Sequence, residues 1–80
     1  NPTTEMEFSL PIESDISFSV YSLTGEEIYS FDRSSVPGGN YKITWNGKNS
    51  SGIAVPSGVY LYEFRAGNEF RQVKKMTLLK

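Results

Sequence analysis

Cysteine and histidine are both absent from the sequence. Their absence excludes disulfides, cysteine nucleophiles, zinc sites built on Cys and His, and any Ser-His-Asp triad. Phosphate-loop, Gly-x-Ser-x-Gly and Ser-x-x-Lys motifs are missing as well. No apolar run approaches the roughly 20 residues that a membrane helix needs, so no membrane span is expected. No basic segment followed by an apolar one opens the chain, so no secretory leader is expected within it. With 80 residues there is room for one core, and the expected organisation is a single domain over 1–80, a fragment of a larger multidomain protein. No cofactor and no metal are expected, so the hydrophobic core alone must hold the fold.

What is present is globular in character. Hydrophobic residues make up 38%, aromatics 14% and charges 21% of the chain, a mixture too rich in aromatic and β-branched residues for a disordered segment. The net charge is −1, but the signs are segregated. Residues 1–32 hold Glu5, Glu7, Glu13, Asp15, Glu26, Glu27 and Asp32 and no Lys or Arg. Residues 33–80 hold all eight basic residues and two acids, Glu63 and Glu69. Pairing between early and late strands is the simple account. Recognition of a basic C-terminal segment by a partner is the functional one. No dense Lys/Arg stripe marks a phosphate footprint, so nucleic acid is not an expected partner.

The dominant hydrophobic period is two. Met6, Phe8 and Leu10 alternate with Glu5, Glu7 and Ser9 until Pro11, which cannot donate to a ladder, ends the run. Ile16, Phe18 and Val20 alternate with Asp15, Ser17 and Ser19. Gly25 marks a turn, and a short strand follows over 26–31 with Ile28 facing inward. Residues 32–39 read as a loop with room for a short edge strand. Tyr41, Ile43 and Trp45 form the next inward stripe, and 46–58 is a long connection rich in Asn, Ser, Gly and Pro.

Tyr60, Tyr62, Phe64 and Ala66 share one face of the strand after it. Gly67-Asn68 predicts a two-residue hairpin loop. That loop would pair Ala66 with Glu69, Phe64 with Arg71 and Tyr62 with Val73. Thr77 and Leu79 would then face inward and Met76 and Leu78 outward, unless a bulge resets the register. Six or seven short strands without a helical stripe indicate an all-β chain folded as an antiparallel β-sandwich.

Few residues suggest chemistry. The tract from Trp45 to Gly52 carries oxygens but no carboxylate, which a hard-cation loop needs, so it reads as a structured turn. Asn49-Ser50-Ser51 matches a glycosylation acceptor, which matters only in a eukaryotic secretory route. Eleven aromatic residues could supply a sugar platform, yet Trp45, Tyr60 and Tyr62 fall on core stripes. Tyr21 and Tyr29 are the better candidates for glycan contact. Glu5, Glu7, Glu26 and Glu27 sit where solvent should reach them, unlike the dry carboxylates of a glycosidase. An enzyme is not expected. The terminal run Lys74-Lys75-Met76-Thr77-Leu78-Leu79-Lys80 could discourage edge pairing or offer a strand edge to a partner.

Several pieces in order carry a family resemblance: Asn1-Pro2-Thr3-Thr4, Phe8-Ser9-Leu10-Pro11, Val20-Tyr21-x-Leu23-x-Gly25, Gly38-Gly39, Trp45-Asn46-Gly47, Gly52, Pro56-Ser57-Gly58-Val59-Tyr60 and Lys75-Met76-x-Leu78-Leu79-Lys80. The chain resembles the C-terminal sorting domain of proteins exported by the type IX secretion system. It also resembles the immunoglobulin-like domain first described in the flagellar hook-cap protein. Asn46 stands where the family usually has Asp.

The resemblance implies an immunoglobulin-like antiparallel β-sandwich of six to seven strands at the C-terminus of an exported bacterial protein. The start at Asn1-Pro2 fits a domain boundary. The implied function is a non-catalytic module that directs secretion and cell-surface attachment of its parent by way of the periplasm. The implied partners are outer-membrane translocon proteins and a catalytic domain in the same polypeptide. Gly58 and Tyr60 fall on the family's Ser-Gly-x-Tyr element, and Lys74, Lys75 and Lys80 on its basic terminal strand. These five are the expected recognition residues. The alternatives are a carbohydrate-binding accessory module and a spacer packed against a secreted hydrolase.

Overall fold

The period-two stripes become six strands: β1 (Thr4–Leu10), β2 (Ser14–Tyr21), β3 (Glu27–Val36), β4 (Gly39–Trp45), β5 (Gly58–Ala66) and β6 (Phe70–Leu78). This computed structural model describes residues 4–68 and 70–79. β1 and β4 form a two-stranded sheet, and β3, β2, β5 and β6 form a four-stranded sheet in that order. Every pairing is antiparallel. The expected all-β immunoglobulin-like sandwich is present, with six strands among the described residues.

The core lies between the sheets. Alternation sends Ile16, Phe18 and Val20 of β2 and Tyr60, Tyr62 and Phe64 of β5 into it, facing Leu10, Ile43 and Trp45 of the small sheet. Burying side chains of this size contributes about 1.5–3 kcal/mol each. Aromatic contacts cross the layers: Phe8 meets Phe64 with ring centroids 4.4 Å apart, and Trp45 meets Tyr60 edge-on at 5.4 Å. The hydroxyl of buried Tyr60 has a partner, as its desolvation requires: it donates to the Pro56 carbonyl at 2.5 Å.

Two expectations need correction. First, β3 continues through the segment read as a loop, to Val36. Its pairing with β2 shifts at both ends. Near one end Ser35 sits at φ 54°, and its N–H donates to Asp15 Oδ1 at 2.8 Å. Such bulges add a residue that no periodicity reveals. Ile28 packs on the core as expected, but Tyr29 and Phe31, paired with Val20 and Phe18, do so too.

Second, the last hairpin has a different register. Ala66 pairs with Phe70, Phe64 with Gln72, Tyr62 with Lys74 and Tyr60 with Met76. Three residues, 67–69, therefore separate the paired ends, with Gly67 at φ 62°. The shift of one residue exchanges the faces of the whole strand. Met76 and Leu78 are buried, whereas Val73, Thr77 and Leu79 face solvent. The pairing with Glu69 falls on a residue outside the described ones.

Candidate functional site

The tract after Trp45 is a structured turn. The Trp45 indole donates to the Lys48 carbonyl at 2.9 Å, and Asn49 Oδ1 accepts from the Ser51 and Ile53 amides, both at 3.0 Å. These oxygens are thus committed to the backbone, as expected from a tract without carboxylates. Among the described residues no cluster of three acidic side chains could hold a metal ion.

Of the five expected recognition residues, the four described ones, Gly58, Tyr60, Lys74 and Lys75, are not gathered on one exposed face. Gly58 opens β5 opposite Leu78, and Tyr60 is buried against Trp45. Lys74 pairs with Tyr62 and so occupies a core-facing position of the edge strand, from which its side chain reaches solvent. Lys75 pairs with Leu61 on the opposite face. Lys80 lies outside the described residues. The two described lysines therefore point to opposite sides of β6.

The charge asymmetry is resolved locally. Glu5 of β1 meets Lys42 of β4 at 3.9 Å, an early–late pair. Glu63 instead pairs within the late half: its Oε2 accepts from Arg71 Nε and, at 3.3 Å, from Arg65. The Arg71 hydrogen bond, opposed by partial burial and helped by Arg65, holds the Glu63 carboxyl below its ordinary range.

Sequence reading missed the open side of the sandwich. β1 approaches β6 and closes one side. On the other side the two-stranded sheet stops short of β3. A groove of about 470 Å³ lies there, floored by Tyr29 and Phe31 and walled by Tyr41 and Ile43. Its charged lining residues are both cations, Arg33 and Lys42. The Arg33 guanidinium sits 5.8 Å from the centre of the Phe31 ring, and no carboxylate among the described residues pairs with it. The half-exposure of Tyr29 and Phe31 is invisible in sequence, because it depends on the width of the opposing sheet.

Fold and site together define an immunoglobulin-like structural module that presents strand edges and a shallow groove. The chain belongs to the FlgD Ig-like domain family, which it matches over residues 2–69. Among solved structures it is similar to FlgD from P. aeruginosa, with 26% identity and a TM-score of 0.70 over 95% of this chain and 57% of that one. It is also similar to FlgD from Xanthomonas campestris, with 12% identity and a TM-score of 0.71 over 96% of this chain and 56% of that one. The second likeness is one of fold. The structure from X. campestris is described in connection with the hook capping essential for flagellar assembly. The chain spans a little over half the length of these solved relatives. No curated protein matches it.

These findings correct the functional expectations. The family match supports the hook-cap half of the resemblance, and nothing supports a type IX sorting domain. The sorting role, the secreted or cell-surface location and the outer-membrane translocon as partner are overturned by that membership. No catalytic parent domain is shown. The carbohydrate-binding alternative falls with the family too; of its two candidate residues, Tyr29 packs against the core and Tyr21 is half-buried.

Proposed function

We propose that this chain is a non-catalytic scaffold domain of a flagellar hook-capping protein, and that residues 1–80 form one domain of that longer polypeptide. The observation that carries the reading is the family match over residues 2–69, joined to a backbone that follows FlgD from P. aeruginosa across 95% of the chain. A structural family agrees with the expectation that the chain is not an enzyme. The sandwich suits a scaffold: its rigid two-layer core holds strand edges and loops in fixed positions without a reactive centre.

The test is deletion of residues 4–79 from the full-length protein in its own organism. Loss of hooks in electron micrographs and loss of swimming, both restored by the intact gene, are the expected results. Normal hooks on cells making the shortened protein would overturn the reading.

A further inference from the structure

Among the described residues the sandwich has free strand edges at β1, β4, β3 and β6, and they are unequally defended. β6 carries Lys74 at a core-facing position, and β3 carries Arg33 at another, together with two register shifts. Inward charges and bulges are devices that stop an edge from accepting another strand. β1 alternates Glu5 and Glu7 on its outer face and lies toward β6. β4 has no inward charge and no bulge, and its single charge, Lys42, faces outward. Its seven residues pair with β1 without a shift, and its core-facing side chains are Tyr41, Ile43 and Trp45.

The position beside β4 is also the position the fold leaves uncovered. A strand added there would lie about 4.8 Å from β4 and above Tyr29 and Phe31, filling the groove. Its apolar side chains would cover those rings, and its outward side chains would flank Lys42. Of the two cations that line this groove, Lys42 already meets Glu5 at 3.9 Å, whereas Arg33 has no carboxylate partner among the described residues.

We propose that the free edge of β4 and the β3–β4 groove bind an extended segment of a partner protein in which acidic and aliphatic residues alternate, joining the small sheet as its third strand. Backbone hydrogen bonds would supply much of the affinity, and unpaired Arg33, with Lys42 exchanging its exposed Glu5 contact for a peptide carboxylate, would set the preference for acidic partners.

The probe is a blocked ten-residue peptide alternating glutamate with valine, titrated into the 80-residue chain and followed by amide NMR and hydrogen exchange. The expected result is saturable binding, with new protection of those β4 amides that point away from β1 and shifts at Tyr29 and Phe31. Binding should weaken roughly ten-fold or more in the Arg33→Glu/Lys42→Glu double variant. The same variant should gain binding to the matching lysine–valine peptide. Unchanged Trp45 fluorescence would show that the variant, altered at exposed positions, remains folded. Protection appearing on β6 instead, equal affinity for both peptides, or dimerisation of the chain through β4 without peptide would each overturn the proposal.

Discussion

Gly47 packs directly against Leu78: a β-carbon at position 47 would come within 3.1 Å of Leu78 Cδ2. Gly47 also sits at φ 76°, in the left-handed region. The contact ties the turn after β4 to the last residue of β6, two segments from opposite sheets. Gly47→Ala therefore meets two penalties, a strained backbone and a crowded leucine. The expected loss is about 1–3 kcal/mol, read from the urea unfolding midpoint at constant slope.

The register of β6 makes a paired prediction. Leu78 is 1% exposed and Leu79 is 74% exposed. Leu78→Ala should cost about 2–5 kcal/mol, while Leu79→Ala should stay within about 0.5 kcal/mol. Chemical unfolding of the two variants decides it; the reverse ranking would restore the two-residue loop.

Trp45 is buried and holds its indole N–H on the Lys48 carbonyl. Its emission should be blue-shifted and nearly insensitive to iodide until the chain unfolds. Trp45→Ala should cost about 3–5 kcal/mol. Ready quenching in the native state would contradict the core position and the edge-on contact with Tyr60.

Glu63 makes stability depend on acid. Its folded carboxyl titrates below the ordinary range, chiefly because Arg71 donates to it. The unfolded chain takes up this proton first as pH falls, so the contribution is fully present above the ordinary glutamate value of about 4.3. It is lost as pH drops through the lower folded value. Glu63→Gln should be less stable than the parent at pH 6, and the two should converge below about pH 4. A gap that persists in acid would exclude the Arg71 pair as its source.

Asp15 supports the bulge at Ser35 through the 2.8 Å bond to its amide. Asp15→Ala leaves that N–H without its acceptor in a left-handed conformation. A loss of about 1 kcal/mol is expected, with faster exchange of the Ser35 amide as the specific readout.

Much of the fold is legible in the chain because strands write their faces in alternate residues. Ile16-Ser17-Phe18-Ser19-Val20 and Tyr60-Leu61-Tyr62-Glu63-Phe64 each state which side is buried, and the structure buries those sides. The glycine- and asparagine-rich tract after Trp45 likewise announces a turn. Bulges and loop lengths are less legible. One extra residue between Ala66 and Phe70 exchanges the faces of all nine residues of β6, and no local propensity counts that residue.

The candidate site was legible only in its parts. Tyr29, Arg33, Tyr41 and Lys42 are unremarkable on their own strands, and among Gly58, Tyr60, Lys74 and Lys75 the pleat sends Lys75 to the face opposite buried Tyr60 and core-facing Lys74. The sequence by itself determined the all-β class, the core stripes of β2, β4 and β5, and the lack of thiol or imidazole chemistry. Those depend on residue type and on a period of two, which are local properties. Tertiary structure alone decided the register of β6, the partners of Glu63 and the open groove beside β4. Each of these depends on which strands become neighbours and how wide each sheet is, quantities set by packing between residues far apart in the chain.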